Sequence, residues 1–546
     1  MICKILSAQE KVFSDIEPIS EKTAVSFLKG ESGAFQVAVE AGGMIKLEAS
    51  ADGFDVRIRE VADVPVRQPN WKDCDDKDYV RLTPGLYPDL LKELLPDNTS
   101  KMLGWWRSFW FDLEPKAETQ SGSYTVCVKV HQLDWENKIS ETVELNVDVN
   151  YVAAELPKQT FIMTKWFYCD CLADYYHVEA FSEEHWKIVE NFVKSAVRLG
   201  QNMILTPIHT PPLDTYVGGE RTTVQLIDVY LNNGEYSFNF DGLKRWIKMC
   251  LDCGIEYFEM AHLYSQWGAT SAPKIMATVD GEYRRLFGWE TPAFGGEYEK
   301  YLSKMLPALA EVLRELGVAD KCRFHVSDEP HGNMLEHYSK VRDQARAYLP
   351  GFTFMDALSD YSFYEMGAVE SPAVASDSGD MQKFMDRKDL DLWIYYCCGQ
   401  AKDVSNSFIA MPYQRTRILG LQAYMLNIKG FLNWGFNFYN AQVSKYRIDP
   451  YFTTDSDGAF PAGDAFIVYP GENGQPLESL RYMALRDGLH DLRALQLLES
   501  LAGRDFVVAI VNECANMEIT LAAYPRNIDF LPTLRAKVNA EIAARV

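Results

Sequence analysis

Residues 324–331 read FHVSDEPH, a short apolar run that ends on two adjacent carboxylates, Asp328 and Glu329, followed by Pro330. Neighbouring acids repel each other, so one proton is held more tightly than usual and one carboxyl can serve as an acid near neutral pH. An acid ahead of proline also commonly opens a helix, accepting hydrogen bonds from its first turn. The elements around the pair decide between these readings.

From about residue 156, apolar strand-like segments alternate with amphipathic helix-length segments, the pattern of parallel β/α units. Eight strands are expected at 162–167, 203–207, 257–262, 323–327, 353–358, 373–376, 392–397 and 430–434. Helices are expected between them at 183–199, 240–253, 298–316, 334–348, 412–428 and 477–498. This predicts an α/β fold with a (β/α)8 TIM-type barrel over residues 156–500, in which chemistry gathers at the carboxyl ends of the strands. Asp328 and Glu329 fall at that end of strand four. Residues 1–155 show short alternating segments separated by turn residues, at 34–40, 54–61, 123–132 and 142–150, and predict an N-terminal antiparallel β-sandwich. Residues 501–546 read as a helical extension packed on the barrel.

Other strand ends carry residues suited to a sugar: Trp166 and Tyr168 after strand one, His209 after two, His262 and Tyr264 after three, and Asp356 in five. Tyr395 and Tyr396 end strand seven, and Trp434 and Asn437 end strand eight. Aromatic faces stack on the C–H faces of a pyranose, while amides and imidazoles bond its hydroxyls. The same residue types also pack barrel ends. His209 and His262 have no nearby carboxylate at a ligand spacing, so no metal is expected. No glycine-rich phosphate loop follows a strand, so no nucleotide cofactor is expected, and no Gly-X-Ser-X-Gly elbow is present. The 11 cysteines lie in or beside apolar segments and read as reduced thiols, including the pair Cys250 and Cys253. Residues 265–296, rich in glycine and aromatics, read as a long loop forming a lid or subsite wall.

Lys and Arg total 54 against 77 acids, and a net charge of −23 repels nucleic acid and anionic lipid alike. The apolar runs are too short for membrane insertion, and the first residues show no secretory signal, which implies a cytoplasmic protein. A carbohydrate is the expected partner.

Several segments together resemble glycoside hydrolase family 123. They are Phe109-Trp110-Phe111-Asp112 with Pro115 and Gly122-Ser123-Tyr124-Thr125, then Ser327-Asp328-Glu329-Pro330, the aromatic stretch 430–440, Tyr469-Pro470-Gly471, and the run LRYMALRDG at 480–488. The resemblance implies a retaining exo-glycosidase that releases terminal β-linked N-acetylgalactosamine from oligosaccharides or glycosphingolipid-type glycans, without a cofactor. It implies that Glu329 is the general acid/base and that Asp328 orients the substrate's 2-acetamido group, whose oxygen attacks the anomeric carbon to form an oxazolinium. Alternatives are a glycosidase for another sugar, in which Glu329 stays the acid and Asp170 or Asp356 supplies a second carboxylate, or a non-catalytic glycan-binding protein. Arg481 and Arg486 read as structural contacts of the last motif.

Overall fold

The computed structural model describes residues 1–19, 24–266, 268–330 and 334–546. Its first eight strands, labelled β1 to β8 in chain order, are Ile2–Ser7, Ala24–Lys29, Gly33–Ala51, Phe54–Val66, Gly85–Glu93, Thr99–Pro115, Gly122–Leu133 and Ile139–Glu155. They form one continuous sheet in the order β2-β8-β7-β3-β6-β4-β5, with β1 also paired to β3. The long strands β3 and β6 bend at Gly43 and Gly104, which have φ of 87° and 84°, beside a register slip between Glu40 and Gly42. Glycine adopts such positive φ without steric cost, and the slip kinks the pair. The sheet thereby folds over itself. Phe54 of β4 meets Tyr151 of β8 edge-on at 5.8 Å, and Val37 of β3 shares one core with Val128 of β7 and Val147 of β8.

The expected alternation is therefore present, with one correction. β2 pairs with β8 in parallel, so the layers are not wholly antiparallel. β1 lies on β3 and β2 on β8, and a chain that crosses between layers lacks the hairpin turn that imposes antiparallel pairing.

Eight short parallel strands follow: Ile162–Lys165, Met203–Thr206, Tyr257–Met260, Cys322–Phe324, Thr353–Ala357, Ser371–Ala375, Trp393–Tyr395 and Gly430–Asn433. They pair in chain order from the second to the eighth, which then pairs with the first. The gap between the first and second is bridged by Asn202, whose Oδ1 accepts from Met163 N at 2.8 Å and whose N–H donates to Met163 O at 3.2 Å. The barrel is thus nearly closed. Helices Glu183–Leu199, Asp241–Cys253, Gly296–Glu315 and Leu335–Tyr348 cover its first half, and Ser182 caps the first of them by accepting from His185 N. The links after strands five and six carry only the five-residue helices Tyr361–Glu365 and Met381–Met385.

Two helical expectations change. The segment 412–428 is split into Tyr413–Arg417 and Leu419–Met425. The break coincides with a backbone contact, since a Cβ on Gly420 would lie 1.7 Å from the Gly488 carbonyl oxygen of helix Leu480–Ala502. The stretch 265–296 is not a bare loop. Its strands Ile275–Val279 and Glu282–Phe287 join Asp228–Asn232 and Glu235–Asn239 in a separate four-stranded sheet. The terminal helices Arg504–Ala515 and Phe530–Ala543 pack on Leu480–Ala502, and the second also reaches β2, where Asn539 Nδ2 donates to Ser26 Oγ at 2.9 Å. Among the described residues no helix is long and apolar enough to cross a membrane.

The β-layers and the barrel are joined through buried ions. Arg481 is 1% exposed and grips Asp89 of β5 with Nε at 2.9 Å and Nη2 at 2.9 Å, while its Nη1 donates to the Gly463 and Phe466 carbonyls at 2.6 and 2.7 Å. Removing one partner of such a pair strands the other charge in the interior. Arg481→Leu is expected to cost about 3–5 kcal/mol, read as a lower urea midpoint; an unchanged midpoint would show that the join does not need this ion pair.

Candidate active site

Pairing between strands three and four continues past Phe324, because Leu263 N donates to His325 O at 3.0 Å and Tyr264 N to Val326 O at 3.1 Å. Ser327 Oγ then donates to Ser265 O at 2.9 Å. Two residues further on the chain turns: Glu329 has φ of 45°, in the left-handed region, and Pro330 follows. Successive side chains of an extended strand point to opposite faces. The turn lets Asp328 and Glu329 line the same cavity, at a cost of roughly 1–2 kcal/mol for a left-handed residue other than glycine. The following helix begins at Leu335 with Met334 at its N-cap, so neither acid caps it. His331, the last residue of the motif, lies outside the described residues.

Both acids open into a concave cavity at the carboxyl end of the barrel, walled largely by aromatic side chains, the kind of lining that small-ligand sites share. Asp328 is buried and accepts from Gln266 Nε2 at 2.8 Å. Burial, and then the charge of Glu329, push its carboxyl up to about 8. The other end of the Gln266 amide accepts from Asp214 N at 2.5 Å, so one side chain fixes two acidic residues of the wall. Glu329 is less buried and accepts from Tyr395 OH at 2.9 Å. Ser359 Oγ lies 3.2 Å from that hydroxyl. The pair thus divides into one deep acid and one nearer the opening.

Of the residues expected to bind a sugar, Trp166, Tyr168, Tyr395, Tyr396 and Trp434 line this cavity with the two acids. The buried Tyr168 hydroxyl has no partner among the described residues, and a buried polar group of this kind gains from a ligand that bonds it. Five others do not line the cavity and are corrected here. His209 is spent on the His262 carbonyl, with Nε2 at 2.9 Å from that oxygen. His262 stacks on His325 with ring centroids 4.2 Å apart. Tyr264 faces the helix layer, its hydroxyl donating to Val341 O at 3.0 Å. Asn437 pairs with both backbone groups of Tyr168, at 2.9 and 3.1 Å, and so positions that ring instead of touching a ligand.

Asp356 is the fifth, and it belongs to a buried network centred on His325. The imidazole lies between Asp356 Oδ1 at 3.0 Å and Glu259 Oε1 at 2.6 Å, and Glu259 also accepts from Trp166 Nε1 at 2.7 Å. Burial opposes the charged imidazole, but the two carboxylates outweigh it and raise His325 to about 10. His262, His325 and Asp356 have their potential ligand atoms within 4.8 Å of one another, and as the side chains stand both nitrogens of His325 are taken up by the two carboxylates. Asp170, the other candidate second carboxylate, is closed off by Arg221, whose Nε and Nη2 donate to it at 2.8 and 2.6 Å.

Sequence reasoning missed Asp214, Gln266, Cys397, Cys398 and Phe460, which also line the cavity. Cys397 and Cys398 directly follow the two tyrosines of strand seven, and that adjacency was a usable signal. Asp214, Gln266 and Phe460 lie in connections without periodicity and carried none.

Residues 166–498 match the sequence profile described as the glycoside hydrolase 123 catalytic domain. The fold is similar to that of a family 123 glycoside hydrolase from Clostridium perfringens, solved in work on glycolipid glycan hydrolysis, with a TM-score of 0.72 over 99% of this chain and 97% of that one at 14% identity. A family 5 xyloglucanase from Bacteroides ovatus covers 87% of this chain and 99% of its own at 9% identity, with a TM-score of only 0.28. No curated protein matches the chain by sequence.

The raised carboxyl of Asp328 has a consequence for stability. An ordinary Asp ionises near about 4, whereas this one holds its proton to about 8. The folded state therefore binds a proton that the unfolded chain has released, and stability falls as pH rises between those values. Asp328→Asn removes that loss. Its melting temperature is expected to exceed that of the wild type at pH 8, with the gap narrowing at pH 5; a gap that is constant with pH would show that Asp328 ionises normally.

Proposed function

The chain belongs to glycoside hydrolase family 123, and on that premise we propose that it is a retaining exo-β-N-acetylgalactosaminidase in which the substrate's own acetamide is the nucleophile. The observation that carries this reading is the division of two consecutive acids in one cavity, Asp328 deep and Glu329 toward the opening. A terminal acetamido sugar enters with its ring among Trp166, Tyr168 and Trp434. Its amide N–H donates to Asp328, which holds the carbonyl oxygen against the anomeric carbon and removes the need for a carboxylate across the ring. Glu329 protonates the departing oxygen as the oxazolinium closes, then takes a proton from the water that opens it, and configuration is retained. Asp328 balances the positive charge of the closing ring. The glycolipid context of the Clostridium enzyme favours a glycolipid-type glycan as substrate.

Proton placement follows from the same geometry. Burial and then the charge of Glu329 leave Asp328 holding a proton in the free site, and two coupled acids hold such a proton in common. An amide N–H donated to Asp328 stabilises the ionised form of that residue. Substrate binding thereby moves the shared proton to Glu329, where the reaction uses it.

A second reading has one observation in its favour. Asp214 also lines the cavity, and burial raises its carboxyl to about 6, so a non-acetamido glycosidase could employ it as the second carboxylate. Substrate choice separates the two.

Nitrophenyl β-N-acetylgalactosaminide is expected to be cleaved and plain nitrophenyl β-galactoside left intact; equal cleavage of both would overturn the neighbouring-group scheme. Glu329→Gln should lower kcat by roughly 100-fold or more on substrates with poor leaving groups. In the wild type kcat/KM should fall as pH rises through about 8, where the free pair gives up its last proton. In Asp328→Asn, which lacks that raised carboxyl, the residual activity should no longer show the limb near pH 8.

A further inference from the structure

If a terminal sugar fills the cavity as proposed, the bond to be cut lies at Glu329 and the leaving sugar lies beyond it. The rim on that side can be identified. Glu329 is bonded to Tyr395, and Tyr395, Tyr396, Cys397 and Cys398 all line the cavity as the chain leaves strand seven. Cys398 is three residues from Tyr395, no more than about 11 Å along the chain.

This rim is held by the N-terminal layers. In the connection between β4 and β5, Asp76 pairs with Arg415 at 2.8 Å and accepts from Asp403 N at 2.8 Å, and Tyr79 OH donates to Ala401 O at 2.7 Å. Earlier in the same connection Arg67 donates to both oxygens of Asp455 at 3.2 and 2.7 Å, and Gln68 O accepts from Ala462 N at 2.8 Å. Those bonds flank Phe460, another residue of the cavity wall. Between the two anchor points stands Trp71. Its indole N–H donates to Cys398 O at 2.7 Å, yet the residue is 36% exposed. With its one polar atom spent on the Cys398 carbonyl, the ring offers only carbon to anything that meets it beside the wall. Such a face suits a sugar's C–H surface.

We propose that Trp71 is a platform for the sugar on the leaving side of the scissile bond, so that the β-layers complete a second subsite and the enzyme favours oligosaccharides over simple glycosides. The inference rests on the glycosidase reading above. Its test compares two substrates: N-acetyl-β-galactosaminyl fluoride, whose leaving group has no sugar, and an oligosaccharide ending in β-linked N-acetylgalactosamine. Trp71→Ala is expected to lower kcat/KM on the oligosaccharide by about 10-fold, chiefly through KM, with the fluoride changed less than about 2-fold and Trp71→Phe restoring most of the loss. Tyr216, 45% exposed and bonded through its N–H to Val443 O beside the lining residue Gln442, stands on the Asp214 side of the opening. Tyr216→Ala should leave the ratio of the two substrates unchanged. Equal loss on both substrates with Trp71→Ala, no loss on either, or selective loss with Tyr216→Ala instead would each overturn the platform. Wild-type protein that cleaves neither substrate would overturn the glycosidase reading itself, and the platform with it.

Discussion

One backbone angle governs the site. Asp328 and Glu329 are consecutive at the end of a strand, where side chains diverge by default, and only the left-handed turn at Glu329 brings both to one cavity. Such a conformation persists where its surroundings over-determine it. Here Ser327 is tied to Ser265, Asp328 to Gln266 and Glu329 to Tyr395, so the segment after strand three holds two points of the turn and strand seven holds the third. Strain at this residue is the cost of aiming neighbouring positions into one cavity.

Beneath the turn lies a second constraint, electrostatic instead of conformational. His325, Glu259 and Asp356 are all at most 1% exposed, and an ionised group in such a place is tolerated only when paired and hydrogen-bonded. The network meets that condition: Thr164, Trp166, Tyr338 and the Val326 N–H donate to its two carboxylates. Because Trp166 is both a donor to Glu259 and part of the cavity wall, the ion network sets the orientation of a ring that a ligand would meet. The imidazolium also lies among the charges that act on Asp328, opposing the effects of burial and Glu329. Interior polarity in this barrel therefore serves the site more than it serves stability.

How much of this was legible in the sequence depended on what each residue's role required. All eight barrel strands could be read because buried parallel strands are short apolar runs with helical periods between them. The placement of the two acids in a cavity could be read because the carboxyl ends of barrel strands face the convergent loops. Orientation could not. Tyr264 and Asn437 occupy strand ends as expected, but one faces the helix layer and the other is consumed by the backbone of Tyr168. Whether a side chain points inward after a strand has ended is decided by turns that carry no periodic signal. Gln266, Asp214 and Phe460 were invisible for the same reason, since each acts through a loop whose path is set by partners far away in the chain. The parallel β2–β8 pair was hidden likewise, because alternation specifies the face of a strand and not its neighbour.

The N-terminal layers are better understood through the same asymmetry. The first half of the barrel is clad by helices of 13 to 20 residues, whereas the links after strands five and six carry helices of only five residues. A short helix buries little surface and cannot by itself fix a neighbouring rim. On this thinner side the connection between β4 and β5 supplies Asp76 and Tyr79 to the loop after strand seven, and Arg67 and Gln68 to the loop that carries Phe460. A detached spacer would need no buried ions against the barrel, yet Arg59 spans Asp112 and Glu478, and Arg481 holds Asp89. Burying such charges is costly unless both partners are held in place, so the two regions must be rigid relative to each other at these points. Those joins hold the β4–β5 connection against the rim of the barrel, where Trp71 meets the backbone of Cys398.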